Sequence, residues 1–148
     1  MGDRVLPRLE HVGVVVGDLE AAKAFFTELG LEVEGEMTVE GHAVDRITGL
    51  DGVRSDLAML RTPGGHGKLE LIRYRTPAGP GGDPDAPANA PGLRHLLFEV
   101  ADIEDVLARL RPHGAELVGE LVQYEDSFKL CYVRGPEGII VELAERIG

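Results

Sequence analysis

At 148 residues with 43% hydrophobic content, the chain suits one domain able to bury about 68–70% of the surface its unfolded form exposes. A formal net charge of −11 and a pI near 4.8 repel phosphate backbones and anionic lipid, and no Lys/Arg run forms a basic patch, so neither nucleic acid nor a membrane surface is an expected partner. The lone Cys131 rules out an intrachain disulfide framework, and residues 1–20 carry neither a signal-like segment nor an apolar run of spanning length, so the cytoplasm is the expected location.

The first apolar stretch, "LEHVGVVVGD" at residues 9–18, reads as a strand. Alternation puts His11, Gly13 and Val15 on one face and Val12, Val14 and Val16 on the other, toward a helix. Asp18 then stands as an N-cap, Leu19, Ala22, Phe25, Phe26 and Leu29 keep helical spacing, and Gly30 ends the helix. Residues 37–56 mix His42, Asp45 and Arg46 with Val44, Ile47 and Leu50, and read either as a source of substrate contacts, Arg46 foremost, or as an ordinary surface insertion. Strands follow at 56–61 and 68–74 around the turn "PGGHG", which lacks the spacing of a phosphate loop and gives His66 a surface role.

Residues 75–92 hold five of the nine prolines and little apolar bulk, so they read as an exposed linker. Beyond it, "LRHLLFEVAD" at 93–102 is a second histidine-bearing strand. Asp102 caps a helix whose stripe is Ile103, Val106, Leu107 and Leu110; Pro112 and Gly114 stop it, with His113 at its end. Strands at 128–134 and 138–144 flank "GPEG". Tyr124, Phe128 and Tyr132 in this region either wall a small-molecule pocket or are plain core, and Cys131 between Leu130 and Tyr132 reads as a buried, inert thiol.

Residues 9–36 overlay residues 93–120 without a gap at an offset of 84, superposing Leu9 on Leu93, His11 on His95, Asp18 on Asp102 and Gly30 on Gly114. The chain is therefore read as two βαβββ modules, 8–74 and 93–145, within one α+β domain spanning 1–148. A second echo, "KLEL" against "IVEL", puts Glu70 and Glu142 at matching places on the last strand of each module. His11, Glu70, His95 and Glu142 thus mark equivalent points of a duplicated unit. Two neutral imidazoles and two carboxylates neutralise a divalent cation, and mixed N/O ligation suits Ni, Co, Mn, Fe or Zn in an open site, not a thiolate-bound structural zinc. The first module carries 12 more residues between its His and Glu than the second, which fall within 37–56.

The paired modules and the strand-borne "EHVGVVV", "LEL", "RHLLFEV" and "VEL" make the chain resemble the vicinal oxygen chelate superfamily, which includes glyoxalase I, methylmalonyl-CoA epimerase, extradiol dioxygenases and bleomycin and fosfomycin resistance proteins. The resemblance implies paired βαβββ modules forming a curved mixed sheet around a cleft. It also implies one divalent metal ion held by His11, Glu70, His95 and Glu142, a small-molecule substrate and a homodimer. By similarity to glyoxalase I, Glu142 is the expected base and Glu70 its partner, so that the implied activity is that of a lyase or isomerase removing a proton next to a chelated carbonyl. The alternatives are a non-catalytic small-molecule or antibiotic-binding protein and, third, an extradiol-type dioxygenase, in which Glu70 would occupy a position that oxygen needs. Arg8, Arg46, Arg73, Arg94 and Lys129 are the scattered cations available to an anionic thiol carrier.

Overall fold

The computed structural model describes residues 6–148, and its elements run β1 (Val12–Val15), α1 (Leu19–Leu29), β2 (Glu32–Glu40), α2 (His42–Thr48), β3 (Arg54–Arg61), β4 (Lys68–Thr76), β5 (His95–Glu99), α3 (Ile103–Leu110), β6 (Glu116–Leu117), β7 (Val122–Tyr124), β8 (Phe128–Arg134) and β9 (Ile140–Arg146). They form an α+β chain with two mixed sheets. One has four strands in the order β1-β4-β3-β2; the other has five, in the order β5-β9-β8-β6 with β7 beside β8. In each, the first strand, β1 just after His11 or β5 beginning at His95, lies parallel to the strand that carries the repeat-equivalent glutamate, Glu70 in β4 or Glu142 in β9, and the remaining pairings are antiparallel.

The described residues divide into two compact units, one of residues 6–19 and 30–78, the other of residues 20–29 and 79–148. In the first, the alternation expected of β1 is observed: Val16 is buried while Gly13 and Val15 face outward. Ala58, Leu60, Leu69 and Leu71 supply the buried face of its sheet. The additional segment between β2 and β3 is an ordered structure. β2 runs on to Glu40, and α2 ends in a left-handed Gly49, where a glycine is the least strained residue. The Asp45 carboxylate then accepts hydrogen bonds from the backbone N–H groups of Gly52 (2.9 Å) and Val53 (2.8 Å), tying the turn that leads into β3. Those two hydrogen bonds hold the Asp45 carboxyl below the usual carboxylate range.

The second unit is built on α1 and α3. The helix stripe legible in the sequence is buried as Ala22, Phe25, Phe26 and Leu29 in α1, and as Ile103, Val106, Leu107 and Leu110 in α3. Asp102 caps α3 by accepting from the Asp105 N–H at 3.1 Å. Phe26 meets Phe98 of β5 at 6.4 Å between ring centroids, and the ring of Phe25 lies so close to Gly135 that a Cβ there would stand 2.9 Å from its Cζ. Although α1 belongs to the first repeat in sequence, it packs with the second unit. The strand expected after α3 is broken into the short β6 and β7, both paired to β8.

Part of the linker is fastened. Arg134 donates to the carbonyls of Pro84, Asp85 and Ala86, and Arg94 to those of Ala86 and Pro87. Gly138, at φ +85°, permits the approach, because a Cβ at that position would lie 2.1 Å from the Pro84 oxygen. Residues 84–87 are therefore a strap on the second unit.

Candidate functional site

In the first unit, His11 immediately precedes β1, and its Nε2 lies 3.8 Å from Oε2 of Glu70. The residue opposite Glu70 in the β1–β4 register is Gly13, which adds no side chain of its own beside the His11 ring. The other nitrogen of His11, Nδ1, hydrogen-bonds the carboxylate of Glu10. Glu10 is held in turn by Lys68 Nζ at 3.4 Å, and Lys68 reaches Glu34 at 3.0 Å. The hydrogen bond with His11, supported by Lys68, keeps the Glu10 carboxyl below its ordinary range, while Glu34 and then Glu10 raise that of the Lys68 ammonium. Glu10 and Lys68 carry no sequence signature on their own, although the repeat overlay marks Glu10 as a point where the modules differ in charge.

In the second unit, His95 opens β5, and its Nε2 lies 3.2 Å from Oε1 of Glu142. Its ring packs on Tyr132, 4.9 Å between centroids at 36°. The register sets Leu97 and Tyr132 on either side of Glu142, so these side chains share one sheet face, and Tyr124 and Phe128 are opposite one another further along it. Tyr124 is 59% exposed and the rings of Phe128 and Tyr132 are half-buried, so these aromatics line an open face and are not plain core. Arg146 lies over Phe128 at 5.1 Å from its centroid. Arg46 is exposed on α2, in the first unit.

Of the other residues singled out in the sequence, Cys131 is buried, and desolvation pushes its thiol up to about 11, which makes it a poor nucleophile. Arg94 is engaged with linker carbonyls and Lys129 lies 3.5 Å from Glu104, so neither extends freely toward an anionic carrier. His66 and His113 are exposed, in a turn and after α3 respectively.

Among the described residues, no group of three or more His, Cys, Asp or Glu side chains is gathered as an ion site; the donors stand as two pairs, one in each unit. Each pair supplies two donors of the kind a divalent ion takes. An ion bound at about 2.0–2.2 Å by two adjacent ligands sets those ligands about 3 Å apart. The His95–Glu142 pair stands at that spacing and the His11–Glu70 pair is slightly open. Imidazole nitrogen with carboxylate oxygen is also the donor chemistry that borderline divalent ions take.

Among the described residues, no helix is long and apolar enough to cross a membrane. Residues 8–143 match the family model of the glyoxalase/bleomycin resistance protein/dioxygenase superfamily. A crystal structure of a glyoxalase family protein from Bacillus cereus is 47% identical, with a TM-score of 0.95 over 100% of this chain and 99% of that one. The uncharacterized protein YaeR of Escherichia coli (strain K12) is 27% identical over 144 residues, 95% of this chain and 98% of that protein. An ethylmalonyl-CoA/methylmalonyl-CoA epimerase of Cereibacter sphaeroides is 29% identical over 116 residues, 78% of this chain and 77% of that protein.

Proposed function

Because the chain belongs to the glyoxalase/bleomycin resistance protein/dioxygenase superfamily, we propose that it is a divalent-metal-dependent lyase or isomerase of the glyoxalase I or epimerase type, acting on a small carbonyl substrate. The observation that carries this reading is the duplicated pairing of one imidazole with one carboxylate, at 3.8 Å and 3.2 Å, on equivalent strands of the two repeats. His11, Glu70, His95 and Glu142 would together hold one ion, of Ni, Co, Mn, Fe or Zn. Once bound, that ion would act as a Lewis acid toward the substrate carbonyl oxygen.

The chain's own groups then handle the proton. Glu142, with its side chain only 15% exposed, is the base that removes a proton from the carbon next to the carbonyl. Returning that proton to the neighbouring carbon completes an isomerisation. Delivery to the same carbon, from its other side, of a proton that Glu70 has first taken from water, with Glu142 releasing its own proton to water, would complete an epimerisation, the branch supported by similarity to the Cereibacter sphaeroides epimerase. Tyr124, Phe128 and Tyr132 contact the apolar part of the substrate, with Arg46 as a polar contact. The same reading takes the protein to be a cytoplasmic homodimer that binds neither nucleic acid nor membrane; sedimentation velocity tests the dimer.

Elemental analysis of protein purified without a polyhistidine tag tests the metal. About one equivalent per chain in the parent, with a large loss in His95→Ala, is the expected result. Solvent deuterium should then enter the carbon next to the carbonyl of a turned-over 2-oxoaldehyde–thiol adduct or acyl-CoA ester. No bound metal after reconstitution with each of the five ions would sink the mechanism and leave a small-molecule binding protein.

A further inference from the structure

The offset that superposes His11 on His95 also superposes Glu10 on Arg94, and these two residues of opposite charge behave differently. Arg94 turns away from its histidine and donates to the carbonyls of Ala86 and Pro87. Glu10 turns toward its histidine, accepting a hydrogen bond from Nδ1, while Lys68 at 3.4 Å steadies its other oxygen. A neutral imidazole has a single N–H, and an ionised carboxylate can only accept, so this contact assigns the proton to Nδ1. Nε2, 3.8 Å from the Glu70 oxygen, then carries no proton and is free to act as a ligand.

We propose that Glu10 is a positioning residue for His11, fixing the Nδ1–H tautomer so that Nε2 is presented as a ligand on the side of Glu70. The proposal rests on the metal-dependent reading above for its purpose, but not for the tautomer itself. It also makes the two histidines unequal: His11 is backed by a carboxylate, whereas the ring of His95 rests on Tyr132. A carboxylate behind a ligating imidazole orients the ring and increases its basicity, and its loss costs about 10- to 100-fold in metal affinity.

The test uses the full chain labelled with ¹⁵N-histidine, metal-free at a pH where the rings are neutral, as parent, Glu10→Ala and Glu10→Gln. Histidine ¹⁵N shifts report the tautomers, backbone amide spectra report that the fold is kept, and zinc(II) competition with a chelating dye reports affinity. The parent should show His11 protonated at Nδ1, and Glu10→Ala should move the proton to Nε2 and weaken zinc binding about 10- to 100-fold. Glu10→Gln, whose side-chain oxygen still accepts, should restore the tautomer and most of the affinity, with the His95 shifts unchanged throughout. A parent His11 protonated at Nε2 or at both nitrogens, a tautomer unaltered in Glu10→Ala, or zinc affinity indifferent to that change would each overturn the proposal. A parent that binds none of the five ions while Glu10→Ala still switches the tautomer would overturn the metal reading alone.

Discussion

Asp45 accepts two backbone N–H groups across the turn that joins α2 to β3, and its pH dependence follows from those bonds. They favour the ionised carboxyl in the folded protein, so the folded pKa lies below the 3.8 of an unconstrained aspartate. The resulting stability is present above pH 3.8 and is lost as pH falls through the folded value. Asp45→Asn keeps one acceptor oxygen but has no charge, so it should be less stable than the parent at neutral pH, with the gap narrowing on acidification. Urea titrations at neutral pH and below pH 4 measure this; a gap independent of pH would show that the carboxylate's charge contributes nothing. At the same scale, the sequence identified His11, Glu70, His95 and Glu142 through repeat-equivalent positions, and the structure sets them in His–Glu pairs. The overlay shows that Glu10 and Arg94 differ in charge, but the role of Glu10 was not legible, because only the direction its side chain takes brings it to His11.

The elements follow local periodicity closely. The alternation in β1 and the apolar stripes in α1 and α3 appear where side-chain spacing puts them. The choice of sheet for α1 is not a local matter. Phe25 and Phe26 are fully buried, and their named contacts are Gly135 and Phe98 of the second unit. Phe25→Ala should therefore cost about 3–5 kcal/mol in chemical unfolding, since it removes a ring that the Gly135 backbone closely fits and leaves a cavity. A cost under about 1 kcal/mol would mean that the α1 packing contributes little to the stability of the fold. The insertion in the first repeat was equally open in sequence, where it reads as a source of substrate contacts or as an ordinary surface insertion and is assigned no element. Its end is set by the left-handed Gly49 and the two bonds to Asp45.

For the molecule as a whole, a ligand that binds only the folded form raises its stability by mass action. On the proposed function, zinc(II) at about one hundred times its dissociation constant should add about 2.7 kcal/mol, or about 5–10 °C in the thermal midpoint of a chain of this size. A chelator should reverse the shift, and His95→Ala should abolish most of it. An unchanged midpoint in the parent at saturating concentrations of each of the five ions in turn would contradict the metal-dependent reading. The surplus of acidic groups, −11 in formal net charge, also favours attraction of a divalent cation over an anionic polymer.

The amino-acid sequence by itself determined the duplicated organisation, the helix stripes and the four equivalent ligand-type residues, because each is carried by side-chain identity at short, regular spacing. It also pointed to the family, to which the match over residues 8–143 assigns the chain. Tertiary structure alone decided that α1 packs with the second unit, that Arg94 and Arg134 bind residues 84–87 as a strap, and that Glu10 turns to His11. Those outcomes depend on backbone carbonyls and on side chains distant in sequence, whose positions no local pattern records.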